Sequence, residues 1–222
     1  MKNLKFFGHA CFQLAHGDTS IIFDPFLTDN PFKIAQPDDI NCNYILVSHG
    51  HFDHLGDTIA IAKRTNSTVI STAEIAGLCG RQGCQTHAMH IGGKHTFDFG
   101  YVRVTPAFHG AGVEGGHACG FIVNFFGTTI YFAGDTSLFG DMELLGRLEK
   151  IDFALLPIGD NFTMGPDDAA IAANMLKANT VIPMHYNTWP LIAQNPEQYK
   201  QSVEKQFNIP VQIINPGELI NI

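Results

Sequence analysis

The stretch VSHGHFDHLGD, residues 47–57, holds three histidines and two aspartates within eleven positions. It overlaps the end of the apolar run NYILV, residues 43–47, which is typical of a strand buried on both faces. Buried polar side chains cost free energy unless each finds a partner, and a solvated surface would use Lys and Glu instead. The stretch therefore predicts that these side chains hold a ligand.

The spacing of the ionisable residues predicts a metal centre. His49 and His51 are two positions apart in locally extended chain, so their imidazoles project to the same side and can converge on one ion. Asp53 and His54 follow at the turn into a helix and point towards a second position. Neutral imidazole and carboxylate are the usual ligands of zinc and similar cations. Two ions about 3.5–4 Å apart can activate water and hold the attacked group from both sides.

Two metal positions need more ligands than this stretch supplies, and three strand ends offer them. His109 in RVTPAFHG, Asp135 in IYFAGDTS and His185 in TVIPMHYN each end an apolar run and precede a glycine or a polar turn. Loops at such positions carry function on a rigid scaffold. One such residue alone would more often be structural, but three of them beside the histidine-rich stretch indicate a metal centre.

The pattern along the whole chain predicts an α+β fold. Runs rich in β-branched and aromatic residues alternate with amphipathic helical segments, without a linker or a low-complexity tract. Two sheets packed face to face, with helices on their outer faces, would bury these apolar surfaces. We therefore expect a four-layer αββα sandwich in a single domain, residues 1–222, with VQIINPG (residues 211–217) as its last strand.

Composition narrows the class of protein. Apolar residues make up 45% of the chain and charged residues 15%, which favours a folded core over disorder. The formal net charge of -8 argues against nucleic acid as a partner, which needs clustered Lys and Arg. The chain contains no run of about 18 apolar residues, so we expect no membrane span. Gly8 and His9 interrupt the N-terminal apolar stretch that a signal peptide needs, so we expect a cytoplasmic protein with reduced cysteines.

The motif HGHFDH, residues 49–54, resembles the His-x-His-x-Asp-His signature of the metallo-β-lactamase superfamily. The three strand-end residues follow in the order in which that superfamily places its remaining ligands. The segments GHACF, GDNFTMGP and PMHYNTWP are similar to one branch, the uncharacterised metal-dependent hydrolases related to the ascorbate-6-phosphate lactonases. The resemblance spans the whole chain and implies the αββα fold and a hydrolase.

The resemblance also implies a role for each candidate residue. The implied ligands are His49, His51 and His109 for one ion, Asp53, His54 and His185 for the other, and Asp135 as a bridge between them. A hydroxide shared by the ions would be the nucleophile, its pKa lowered by the metal charge, with Asp53 as the catalytic residue that orients it. Asp24, in IIFDPF, resembles an early aspartate that supports the metal loop from behind.

The resemblance leaves the identity of the two divalent ions open. Zinc is the first expectation, and manganese, nickel and iron also fit imidazole and carboxylate ligands. The redox branch of the superfamily, which binds two irons, has an acid at the position of His51. The absence of an acid at position 51 of this chain disfavours oxygen-activating iron chemistry and favours hydrolysis.

Several further residues have two interpretations each. His9 is either a buried structural histidine or a substrate-facing residue close to the metals. Asn161 and Thr163 belong either to an ordinary loop ahead of a helix or to a site for a polar substrate group. His117 lies in the glycine-dense segment 109–120, which would border the site as a lid; we expect this histidine to be solvated. Trp189 either packs beneath His185 or lines the mouth of the pocket.

The sequence therefore predicts a metal-dependent hydrolase of a small polar substrate, a lactone or other ester or a phosphorylated compound. The alternatives are a phosphodiesterase that uses the same site and a non-catalytic metal-binding sensor or scaffold. The complete ligand set disfavours the sensor, because degenerate members would lose one or more of these groups. We expect no membrane partner, and a homo-oligomer is possible because members of this branch associate.

Overall fold

Thirteen strands in two mixed sheets, with the longer helices outside them, make up the computed structural model, which describes residues 1–222. The strands are β1 (Asn3–Gly8), β2 (Cys11–His16), β3 (Thr19–Phe23), β4 (Tyr44–Leu46), β5 (Thr68–Thr72), β6 (Gln85–Met89), β7 (Lys94–Phe97), β8 (Gly100–Pro106), β9 (Cys119–Phe125), β10 (Thr128–Phe132), β11 (Phe153–Pro157), β12 (Thr180–Met184) and β13 (Leu219–Asn221). The α-helices are α1 (Phe52–Leu55), α2 (Thr58–Thr65), α3 (Ala73–Arg81), α4 (Met142–Leu148), α5 (Pro166–Leu176) and α6 (Pro196–Phe207).

The topology of the sheets places the functional loops at one edge. The first sheet has the order β13-β1-β2-β3-β4-β5-β6, and the second has the order β12-β11-β10-β9-β8-β7. Strands β3 to β6 run parallel, as do β10, β11 and β12. Ligands of α/β sheets bind beyond the carboxyl ends of parallel strands. The chain segments that follow β4, β10 and β12 at those ends contain the three histidine and aspartate motifs singled out in the sequence.

Alternating side chains of the first sheet face two different layers. Ile21 and Phe23 join the core between the sheets, where the ring of Phe23 stacks on Phe132 of the second sheet at a centroid distance of 4.9 Å. Ile22, between them, packs instead with Ile61 of α2 and with α3. Helices α5 and α6 cover the outer face of the second sheet. The predicted αββα sandwich is confirmed.

Two details of the predicted strands differ from the structure. Residues 211–217 form only an isolated bridge between Val211 and Val181, and the last strand is β13, which pairs with β1. Pro216 lacks an N–H donor and Gly217 has φ 92°, so the segment turns before it can continue a ladder. Strand β6, QTHAM, was not predicted from the sequence, because this edge strand is mostly exposed and has no alternating apolar pattern. None of the six helices combines the length and the apolar character that a membrane crossing needs.

Candidate metal centre

The histidine-rich stretch is held from behind by a buried carboxylate. Asp24, directly after β3, accepts hydrogen bonds from the backbone N–H of Ser48 at 2.7 Å and from its hydroxyl at 2.6 Å. The same hydroxyl oxygen lies 2.9 Å from Nδ1 of His49, while Nδ1 of His54 lies 2.7 Å from Oδ2 of Asp24. Asp24 therefore contacts both ends of the stretch, through Ser48 at one end and His54 at the other. Ser48 was missed, although it directly precedes the motif.

The first group of donor atoms comes from three histidines. Nδ1 of His51 lies 3.0 Å from Nε2 of His49 and 3.3 Å from Nε2 of His109, which arrives from beyond β8 of the second sheet. The three nitrogens lie within 4.8 Å of one another. The structure thus brings together the residues that the sequence assigned to one ion.

The second group contains Asp53, His54 and His185, and it also includes His9. Oδ2 of Asp53 lies 3.8 Å from Nε2 of His54 and 3.1 Å from Nε2 of His9. His9 occupies the turn between β1 and β2 with φ 60°, and its carbonyl accepts a hydrogen bond from the N–H of His185 at 2.7 Å. The sequence left the role of His9 open, and the structure places it beside the second group.

One oxygen of Asp135 faces both groups. Its Oδ2 lies 3.5 Å from Nε2 of His109 and 3.9 Å from Nε2 of His49 in the first group. In the second group it lies 3.2 Å from Nε2 of His54 and 3.1 Å from Nε2 of His185. One oxygen of Asp135 therefore lies within 4 Å of two histidines from each group.

Burial sets the charge of the individual groups. It lowers the pKa of His49 to about 2 and, together with the nearby His185, that of His9 to about 3, so both imidazoles are neutral. Burial alone would raise the pKa of Asp53, but the hydrogen bond with His9 and the charge of His54 outweigh it and hold that pKa below its usual range. Neutral imidazole and ionised carboxylate are the forms that bind divalent cations.

His54 is the exception, and its charge indicates what the site requires. Burial would lower its pKa, but the carboxylates of Asp135 and Asp24 raise it well above the usual value. Two buried carboxylates thus need positive charge between them. A divalent cation would supply that charge and leave the imidazole neutral.

Buried atoms without hydrogen bonds test whether the residues fit a metal. Nε2 of His54, Oδ1 of Asp135 and both ring nitrogens of His185 are buried and lack a hydrogen-bond partner, because their close neighbours are not aligned for one. Such groups cost free energy unless something pairs with them. Nε2 of His54 and Nε2 of His185 lie 3.2 Å and 3.1 Å from Oδ2 of Asp135, among the other donor atoms, so the residues fit divalent metal ions.

A cavity of about 490 Å³ opens over the two groups. Its lining consists of His51, Phe52, Asp53, His109, Asp135, Phe162, His185, Trp189 and Leu191. Trp189 therefore lines the cavity, and its ring also meets the ring of His9 edge-on at a centroid distance of 5.0 Å. Asn161 and Thr163 flank Phe162 without lining the cavity: the N–H of Asn161 binds Oδ1 of Asp160, and the hydroxyl of Thr163 donates to the carbonyl of Met164.

The glycine-dense segment after His109 packs onto the histidine-rich stretch. The N–H of Gly50 donates to the carbonyl of Ala111 at 2.8 Å, and the side chain of Val113 lies over Gly50. Gly112 has φ 67°, and a Cβ there would overlap the backbone of Gly50. The segment borders the site as predicted, and His117 is exposed to solvent.

A family model for the beta-lactamase superfamily domain matches residues 3–185. The chain belongs to the metallo-β-lactamase superfamily. A "UPF0173 metal-dependent hydrolase" of Natranaerobius thermophilus is 53% identical over 215 residues, covering 97% of each chain. A protein of the same name from Pelotomaculum thermopropionicum is 53% identical over 227 residues, covering 99% of each. The structure of Igni18, described as a novel metallo hydrolase of Ignicoccus hospitalis, has a TM-score of 0.93 and 34% identity, covering 99% of this chain and 97% of that chain.

The relatives that share the name metal-dependent hydrolase, together with the family model, support a metal-dependent hydrolase, and the enzyme class predicted from the sequence is confirmed. Its histidine and aspartate groups are candidate metal-binding groups. Thr188 is a further residue of the site, and no sequence motif singles it out. Its hydroxyl oxygen lies 2.8 Å from Nδ1 of His9, on the side of the ring opposite Asp53.

Proposed function

We propose that this metallo-β-lactamase superfamily member hydrolyses a carboxylic ester or lactone with the help of two divalent ions, one in each donor group. Zinc is the first candidate, with manganese, nickel and iron as alternatives. The observation that carries the proposal is the position of Asp135, whose Oδ2 lies 3.1 Å from His185 in one group and 3.5 Å from His109 in the other. A carboxylate in that position suits two cations better than one.

The proposed ligand set follows the two groups. His49, His51 and His109 would hold one ion, Asp53, His54 and His185 the other, and Asp135 would contact both. When bound, the two ions supply a water of lowered pKa as the nucleophile and positive charge for the oxygen that becomes negative in the transition state. Asp24 and Ser48 keep Nδ1 of His54 and of His49 engaged, so that the opposite ring nitrogens face the site.

Asp53 combines the role of ligand with that of an orienting carboxylate. It lines the cavity with 13% of its side chain exposed, so one side of the carboxylate remains accessible to a substrate or to water. The hydrogen bond with His9 fixes its direction from the buried side. The proposed role is to align the attacking water with the bond to be broken.

The cavity lining favours an ester or lactone over a phosphodiester. Two-metal sites suit phosphoryl transfer as well, but anionic phosphate groups are usually held by Arg or Lys. No Arg or Lys lines the cavity, and the two acidic residues of the lining, Asp53 and Asp135, would repel an anionic group. A non-catalytic sensor or scaffold is disfavoured by the completeness of the donor set and by the open cavity above it.

Turnover by the purified chain tests this proposal. A six-membered sugar lactone, a simple aryl ester and bis(p-nitrophenyl) phosphate would be assayed with zinc and then with manganese. Asp53→Ala should abolish hydrolysis with an unchanged circular dichroism spectrum, and His16→Ala, far from the site, should retain it. Preferred turnover of the phosphodiester would replace the ester proposal. Absence of turnover on all three compounds with either metal would favour the sensor or scaffold.

A further inference from the structure

Large apolar side chains surround the cavity above the donor groups. Phe52 is 67% exposed, Leu191 is 62% exposed and Phe162 is 52% exposed, although each lines the cavity. Trp189 completes the set and is partly buried. Single exposed apolar residues are common on protein surfaces, but four around one cavity form a patch of the kind that marks a binding site.

These side chains come from three separate segments of the chain, so no one element of the fold accounts for their position. Phe52 begins α1 between two candidate ligands, His51 and Asp53. Phe162 lies in the loop before α5, and Trp189 and Leu191 lie between β12 and α6. The rings of Phe52 and Trp189 are 6.2 Å apart between centroids, which makes a continuous aromatic surface beside the donor atoms.

The charged side chains that line the cavity argue against a substrate with a phosphate group away from the reacting bond. The lining contains two carboxylates and no Lys or Arg, and the chain carries a formal net charge of -8. The donor groups would hold two divalent ions, whose positive charge would act on the reacting group bound there. Apart from the candidate metal ligands, the lining consists of Phe52, Phe162, Trp189 and Leu191, so it offers neither a cation for a phosphate nor an array of polar side chains for sugar hydroxyls.

We infer that the substrate carries an uncharged apolar arm, an alkyl chain or an aromatic ring, next to the ester or lactone bond. This inference rests on the proposed function and departs from the small polar substrate that the sequence predicted. The arm would lie along Phe52, Phe162, Trp189 and Leu191 while the carbonyl reaches the donor groups. A cavity of about 490 Å³ lies in the range of sites that enclose a small molecule of this kind.

A series of γ-lactones tests the inference with the zinc-loaded enzyme. γ-Butyrolactone, γ-hexalactone and γ-nonalactone differ only in alkyl arm, and glucono-δ-lactone supplies a polar comparison. Each methylene that becomes buried should raise kcat/KM about three- to fourfold until the apolar surface is covered. Turnover that is flat across the series, or highest for the glucono-lactone, would overturn the inference and leave the hydrolase proposal standing. Loss of turnover on every lactone and ester would instead reject the proposed function.

Binding can be measured even without turnover, because Trp189 is the single tryptophan of the chain. Its fluorescence would be titrated in the zinc-loaded protein with 2-nonanone and 2-butanone, ketones without a hydrolysable bond. We expect 2-nonanone to bind at least tenfold more tightly. Leu191→Ala should reduce this preference, whereas Leu148→Ala, 57% exposed on α4 and away from the cavity, should preserve it. Equal affinity for the two ketones, or equal effects of the two variants, would contradict the inference.

Discussion

Nδ1 of His54 lies 2.7 Å from Oδ2 of Asp24, and neither side chain is exposed to solvent. The contact engages one ring nitrogen of His54, so the other, Nε2, faces Asp135 at 3.2 Å. Carboxylates that bind the far nitrogen of a metal-ligating histidine fix its tautomer and its orientation. Asp24 therefore controls a candidate ligand without lining the cavity itself.

Replacement of this carboxylate should weaken one ion more than the other. Asp24→Asn would keep the size of the side chain but remove its negative charge, so His54 would lose the group that orients it. We expect a 10- to 100-fold lower affinity for the ion of the second donor group, measured by competition with a fluorescent zinc chelator. Asp29→Asn, at an exposed position, is the control. Equal affinities in the two variants would remove Asp24 from this role.

His9 should act by positioning Asp53. Its two ring nitrogens lie 3.1 Å from Asp53 and 2.8 Å from the hydroxyl of Thr188, which fits Nε2–H donating to the carboxylate and Nδ1 accepting from the threonine. His9→Asn keeps a residue that tolerates the positive φ of this turn. We expect kcat to fall at least tenfold, together with weaker binding of the second ion.

The matched control for His9 is His16→Asn, because His16 is partly exposed and lies outside the site. Metal affinity and kcat should both be unchanged in this variant. If His9→Asn lost stability but kept metal affinity and kcat, His9 would be a structural residue of the turn and no more.

Gly112 allows the close packing of the glycine-dense segment against the site. It and Gly115 have nearly the same φ, 67° and 69°, but a Cβ at Gly112 would overlap the backbone of Gly50 and His51, whereas Gly115 has nothing within 4 Å. Gly115→Ala should therefore cost only the backbone strain, about 1–2 kcal/mol. Gly112→Ala should cost more and also reduce zinc affinity. If Gly112→Ala and Gly115→Ala lowered the free energy of unfolding in urea equally, the segment would be able to move enough to accommodate a Cβ at Gly112.

The five cysteines should be unreactive in the folded protein. All five are buried and free, and burial raises the pKa of each thiol, that of Cys79 to about 11. The reactive thiolate is therefore scarce at pH 8. Ellman's reagent should modify none of them quickly in the native state and all five in denaturant. Rapid modification of one thiol in the native protein would identify a segment that opens.

Sequence patterns predicted which residues come together where a histidine or an aspartate directly ends an apolar, strand-like run. His109, Asp135 and His185 each end an apolar run, and the structure brings all three to the histidine-rich stretch. Long-range placement was harder to predict. The contact between His9 and Asp53 joins residues 44 positions apart, and no local pattern announces it. The apolar lining at Phe162 and Leu191 belongs to loops whose course depends on the packing around them.

Some predictions remain open. The substrate roles of Asn161 and Thr163, the single domain of residues 1–222, the cytoplasmic location and the homo-oligomer stay predictions.

The strand predicted at residues 211–217 is wrong and shows why short apolar runs mislead. Gln212 does bond to Val181, but the turn at Pro216 and Gly217 prevents a ladder from extending.

The most direct test of the two-ion site is the metal content of the wild-type chain and of Asp135→Asn. Zinc-loaded protein, freed of excess metal by gel filtration, would be analysed by plasma mass spectrometry, with the exposed Asp141→Asn as control. We predict two zinc ions per chain in the wild type and the control. In Asp135→Asn both ions should be lost more readily, because one carboxylate serves both groups. Two ions held with unchanged affinity in Asp135→Asn would contradict the bridging role of Asp135 and with it the proposed two-ion site.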